Sequence, residues 1–171
     1  RPLARAPADE TDAQVLPLLK ATLLGARVPY LLGTTPQGPF WARLVLEKLV
    51  SLLTAAVTAG APVAVVREMV QLVAKFFLQN LHTLQRHDCF GQLWLMVLRL
   101  MLLFVKRGSD DRDAELEEVA TETLKNLLKV LLSLRILEFV PKKSGKSDKS
   151  GGLPVWWQMT WDCIEVFLPG F

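Results

Sequence analysis

The stretch Leu93–Val105 reads LWLMVLRLMLLFV, apolar at every position but Arg99. As a helix it has no polar face to offer to water, so other parts of the chain must cover it on most sides. It is too short, and carries a charge, to span a bilayer. The expectation is a central core helix with amphipathic helices laid against it. The composition allows this: 51% of the 171 residues are hydrophobic and 22% charged, enough for a globular domain with a sizeable core. The net charge of +3 is too mild to imply nucleic acid as a partner.

The rest of the chain reads as helices separated by breakers. Residues Arg1–Ala8, with two prolines and two arginines, are expected to be loose. Asp9, Thr11 or Asp12 can cap a first helix ending at Leu24 before Gly25, and Pro17 suits a first turn, so the regular helix is expected to begin near Leu16. Its apolar positions are Val15, Leu16, Leu19, Leu23 and Leu24. Gly33–Pro39 is a loop by composition. A second helix spans about Phe40–Ala59, with Arg43, Glu47, Ser51, Thr54 and Thr58 facing solvent. Trp41, Leu44, Val45, Leu49, Leu52, Leu53 and Ala56 face inward. A third, about Val63–Leu84, has a polar stripe of Glu68, Gln71, Lys75, Gln79 and His82. Opposite lie Val66, Met69, Val70, Val73, Phe76, Phe77 and Leu81.

Asp88 can cap the central helix, which Lys106-Arg107-Gly108 ends with cations at its negative pole. A fifth helix, about Ala114–Leu137, gathers Leu116, Val119, Ala120, Thr123, Leu124, Leu127, Leu128, Leu131 and Leu134 on one broad face. Lys142–Gly152 (KKSGKSDKSGG) is low-complexity and expected to be disordered. A last helix runs from about Pro154 to Leu168. Short connections make neighbouring helices antiparallel, so the fold expected is all-α: a HEAT-like α-solenoid, or stack of helical hairpins, of about six helices in a single domain 1–171.

Residues that could carry chemistry do not assemble into a motif. Gly145-Lys146-Ser147 resembles the tail of a phosphate loop, but Val140 stands where the spacing requires glycine and no strand precedes it. His82 and His87 are poorly aligned for a zinc site. Glu115, Glu117, Glu118 and Glu122 are explained by a solvated helix start, where their charge suits the dipole. Arg99 is expected to snorkel or to pair with a carboxylate on a neighbouring helix. Of Trp156, Trp157 and Trp161, the last two share a face and Trp156 is turned away by about 100°. Two of the three are expected in the core and one is left for a partner. Cys89 and Cys163 fit no metal or redox spacing and read as free thiols. No nucleophile–base pair is evident, so no catalytic residue, no cofactor and no metal ligand is expected. The candidate contact residues for a partner or lipid are Lys142, Lys143, Lys146, Lys149 and Trp156. The opening RPLARAPADE is polar and proline-broken, unlike a signal peptide, and without a starting Met the chain is expected to be an excised fragment.

Four segments carry a family resemblance: KFFLQNL at Lys75–Leu81, FGQLWLMVL at Phe90–Leu98, ETLKNLL at Glu122–Leu128 and WQMTWDCIEVFLP at Trp157–Pro169. Their order and spacing, above all W-x-x-T-W and the terminal F-L-P, resemble the C-terminal helical region of the large Arf guanine-nucleotide exchange factors. The Golgi brefeldin-A-resistance class is the nearest likeness. The resemblance covers about Glu68–Pro169. It implies a HEAT-type region downstream of a separate catalytic exchange domain, none of whose motif is found here. It further implies roles in recruitment and regulation at Golgi and ER–Golgi membranes on the cytoplasmic side. The partners implied are a small GTPase of Arf or Rab type, other domains of the factor, and peripheral membrane contact. Two rivals follow from the residues alone. One is a generic α-solenoid scaffold with no link to exchange. The other is a secreted helical bundle, which a Cys89–Cys163 disulfide would favour.

Overall fold

The only secondary structure among the described residues is helical. The computed structural model describes residues 8–105, 111–136 and 155–167, and their side chains at 14–104, 114–136 and 156–165. Eight helices form there: α1 (Ala8–Leu24), α2 (Arg27–Thr34), α3 (Gly38–Thr58), α4 (Val63–Gln79), α5 (Leu81–Leu84), α6 (Phe90–Val105), α7 (Asp111–Ser133) and α8 (Val155–Phe167). The all-α expectation holds, with two short helices, α2 and α5, beyond the six expected. The chain divides into two compact units, Arg1–His87 and Asp88–Phe171. No single helix among the described residues is long and apolar enough to cross a membrane.

The first unit is built around α4, which packs on α1, α3 and α5. Every residue expected on its buried face is buried, and Leu72 and Ala74 join them because helices cover more than one side. The third helix was expected to run unbroken to Leu84. Instead it breaks at Asn80, whose side-chain amide donates to the Phe76 carbonyl at 2.9 Å. This local bond offers the backbone an alternative to continuing the ladder. α5 then restarts with Thr83 and Leu84 N–H groups donating to the Asn80 carbonyl.

Two corrections concern α1 and α2. The regular helix begins at Ala8 rather than near Leu16 and runs through Pro17. Pro17 is exposed; its ring costs the ladder one bond, while the Lys20–Glu68 ion pair ties the helix to α4. Val15, expected inward, is exposed. Residues after Gly25, which show too short a run to betray a period, form α2, with Pro29 in its first turn where a missing N–H is harmless.

α3 is rotated from the expected setting. Ala42, Leu46, Leu49 and Leu53 line its buried side, whereas Trp41 and Leu52 are about half exposed. Ser51, Thr54 and Thr58 of its polar stripe face solvent, and among the apolar positions the neighbours α2, α4 and α5 choose which are covered. The helix ends in a Schellman motif: Gly60 takes φ +72°, its N–H donates to Val57 and the Ala61 N–H donates to Ala56 at 2.9 Å.

In the second unit, α6 packs on α7 and α8. Leu93, Trp94, Val97, Leu98, Leu100, Met101 and Phe104 are buried. Each contributes about 1.5–3 kcal/mol over the exposed state. The stretch is sheltered as expected, by helices of its own unit. It also keeps a narrow open stripe, with Gln92, Arg99 and Leu103 exposed. Its first helical bonds, from the Gln92 and Leu93 N–H groups, go to the Cys89 carbonyl, so Cys89 rather than Asp88 takes the capping position. α7 buries Leu116, Ala120, Leu124, Leu127, Leu128 and Leu131. Leu134, expected on that face, is exposed because the helix has already ended. Arg135 adopts φ +57°, and the Arg135 and Ile136 N–H groups close a second Schellman motif onto Leu132 and Leu131.

Candidate functional site

Two of the four segments that carry the resemblance meet in one contact. FGQLW opens α6, and W-x-x-T-W (Trp157–Trp161) lies within α8 directly after Trp156. The Trp94 Nε1–H donates to Thr160 Oγ1 at 2.7 Å, and that hydroxyl donates to the Trp156 carbonyl one turn back, also at 2.7 Å. Trp94 and Thr160 are both fully buried. One hydroxyl therefore satisfies the indole N–H and closes onto its own helix, leaving no orphan on either side. The Phe90 and Trp156 rings meet edge to face, 6.3 Å apart at 81°. The Trp156 indole lies directly over Gly91: a β-carbon there would stand 2.3 Å from its Cδ1 and 2.5 Å from its Cγ. Glycine at this position is what lets the indole approach the backbone.

These contacts also fix direction. Phe90 and Gly91 meet Trp156, and Trp94 meets Thr160, so position advances the same way along both helices. α6 and α8 run parallel, the relation between first helices of successive hairpins in a helical repeat. Trp157 and Trp161 pair at 5.5 Å with planes at 55°. Trp161 Nε1 is buried and finds no acceptor among the described residues.

The candidate contact residues fall into two groups. Lys142, Lys143, Lys146 and Lys149, with the Gly145-Lys146-Ser147 sequence, lie outside the described residues, as does Lys106–Gly108. Trp156 is half-buried and occupied in packing on Gly91 and Phe90. Arg99 reaches the Met159 sulfur at 3.9 Å rather than a carboxylate, with its charge at the surface as snorkelling requires. His82 Nδ1 sits 3.0 Å from Gln85 Nε2. Glu115 and Glu118 are exposed, and Glu122 accepts from Asn126. Cys89 and Cys163 are not joined in a disulfide, which removes the feature that would have favoured a secreted bundle. Among the described residues no three His, Cys, Asp or Glu side chains converge to hold a metal ion.

Among the described residues one ion pair lies within α3 and another joins α1 to α4. Arg43 Nε donates to Glu47 Oε1 at 2.8 Å along α3. The Lys20 ammonium, hydrogen-bonded to Glu68, holds that carboxyl below the usual range against a smaller opposing effect of burial.

Half of the exposed large apolar side chains among the described residues lie on α2 and α3. Tyr30 and Leu31 are exposed, as are Phe40 and Trp41, whose rings pack edge to face at 5.3 Å. Sequence periodicity assigned Trp41 to the core and missed this surface. The usable signal was local: F-W follows directly on the Pro39 helix start, a turn with little room to be covered on all sides.

Helices, packed indoles and open apolar faces define a helical repeat region, a non-catalytic kind of element that acts by protein–protein interaction. The chain belongs to the GBF1-like, tetratrico peptide repeat region family, whose model matches residues 7–171. That match extends through the first unit, where KFFLQNL is the one segment that carries the resemblance. No solved structure matches the chain.

Proposed function

We propose that this chain is a regulatory and recruiting region of a GBF1-like Arf guanine-nucleotide exchange factor, placed downstream of the catalytic exchange domain. Its helix faces engage a small GTPase of Arf or Rab type, other domains of the same factor, or the cytoplasmic surface of Golgi and ER–Golgi membranes. Influence on exchange is indirect, through placing the catalytic domain where its membrane-bound substrate lies. The Lys142, Lys143, Lys146 and Lys149 ammonium groups supply an accessory contact for acidic protein or lipid groups. The family match over residues 7–171 carries this reading. The absence of any nucleophile–base pair in the sequence agrees with it.

The test is deletion of residues 1–171 from the parent factor in cells, followed by measurement of its Golgi-bound fraction and of GTP-loaded Arf. Both should fall while the exchange rate of the isolated catalytic domain stays the same. If recruitment and Arf loading are both unchanged, the reading is wrong. A purified chain that itself speeds nucleotide release from Arf would overturn the non-catalytic assignment.

A further inference from the structure

On the α2–α3 hairpin, Tyr30, Leu31, Phe40, Trp41 and Leu52 are each at least half exposed. They are not scattered. At 100° per residue, Arg27, Tyr30, Leu31 and Thr34 fall within an arc of about 100° on α2, and Phe40, Trp41, Lys48 and Leu52 within about 120° on α3. Charge sorts the same way. From Ala21 to Val66 the only charged residues are Arg27, Arg43, Glu47 and Lys48. Arg43 and Glu47 pair with each other. Arg27 and Lys48 are exposed, and neither has a carboxylate partner among the described residues. The hairpin thus presents a tyrosine, a tryptophan, a phenylalanine and leucines beside two free cations, with its one carboxylate already paired.

We propose that this face of the α2–α3 hairpin docks on an anionic lipid bilayer. Tyr30 and Trp41 combine an apolar ring with a polar N–H or O–H and suit headgroup depth. Leu31, Phe40 and Leu52 enter the acyl boundary, and Arg27 and Lys48 meet lipid phosphates or carboxylates. The unpaired charge on these two helices is positive only, which complements an anionic lipid surface. The proposal deepens the recruiting role proposed above and rests on it.

The experiment is flotation of the 171-residue chain with vesicles of phosphatidylcholine alone or mixed with phosphatidylserine, at low and high salt. Binding should require phosphatidylserine and weaken with salt. Arg27→Gln and Lys48→Gln should each lower affinity roughly fivefold. Tyr30→Ala with Trp41→Ala should lower it about tenfold or more. Leu103→Ala, an equally exposed apolar residue on α6, should leave it unchanged. All these side chains are exposed, so circular dichroism should show the fold retained. No binding to phosphatidylserine vesicles, or binding that survives the α2–α3 substitutions, overturns the proposal. So does an acidic peptide that binds the face while vesicles do not. Binding carried by Lys142–Lys149 instead would remove this face and leave the recruiting role standing. That role fails separately, if deletion of the whole segment leaves the parent factor on its membrane.

Discussion

Gly91→Ala tests the contact between α6 and α8 more sharply than any large truncation. The added methyl would lie 2.3 Å from Trp156 Cδ1 and 2.8 Å from its Nε1. Ordinary carbon contacts need about 3.5–4.0 Å, so the indole or the helix axis must shift by more than 1 Å. The indole cannot swing freely: Phe90 stands against its edge, and its own carbonyl takes the Thr160 hydroxyl that also serves Trp94. Overpacking of this kind costs about 1–3 kcal/mol. Replacing a helical glycine by alanine returns at most about 0.5–1 kcal/mol, and less at the second residue of a helix. The expected net loss is about 1–2 kcal/mol. Urea unfolding followed by tryptophan fluorescence is the appropriate assay, because four of the five tryptophans, Trp94, Trp156, Trp157 and Trp161, belong to the second unit. Trp156→Ala alone is destabilising, but on that background Gly91→Ala should be neutral or favourable, a coupling of about 1–2 kcal/mol. If Gly91→Ala stabilises the otherwise unaltered chain, or if the two changes simply add, the indole does not rest on Gly91 and the parallel seating of α8 is wrong.

Further outcomes follow from the same physics. Thr160→Val removes the only acceptor shown for the buried Trp94 N–H and should cost about 1–3 kcal/mol by the same assay, with Thr160→Ser recovering most of it. Arg135→Gly relieves a left-handed backbone at a non-glycine residue and should stabilise the second unit by about 1 kcal/mol, read as a rise in Tm. Gly60→Ala places a side chain on the same conformation and should destabilise the first unit by about 1 kcal/mol, read by denaturant midpoint. The Glu68 carboxyl is depressed by Lys20, so its contribution is present above the ordinary carboxylate range and is lost as pH falls below about 4.3. Because the pair is partly exposed, that loss should be below about 1 kcal/mol, and Glu68→Gln should flatten this part of the stability–pH curve.

The order of helices was legible from the sequence because periodicity and breakers are local signals. α4 shows this best: one polar stripe opposite one apolar face leaves a single way to bury it, and every residue expected there is buried. The sheltering of Leu93–Val105 was equally forced, since water offers such a stretch nothing. α3 marks the limit. Trp41, Ala42, Leu46 and Leu52 are all apolar, so the pattern does not rank them, and contacts from other helices decide which are covered. Arg135 shows another limit: a helix end without glycine or proline carries no sequence mark, and only the packing of Leu131 and its neighbours fixes where it stops.

The same division holds for what the chain can do. Residue types and spacing alone established an all-helical region without a nucleophile–base pair, and the motif W-x-x-T-W was visible as a pattern without a reason. Only the tertiary structure supplied a reason, and for its threonine: the Thr160 hydroxyl accepts from Trp94 on another helix, while the indole seated on Gly91 is that of Trp156, just before the motif. It also left Trp41 open to solvent rather than buried. Both outcomes depend on contacts between residues far apart in the chain, which no local pattern encodes.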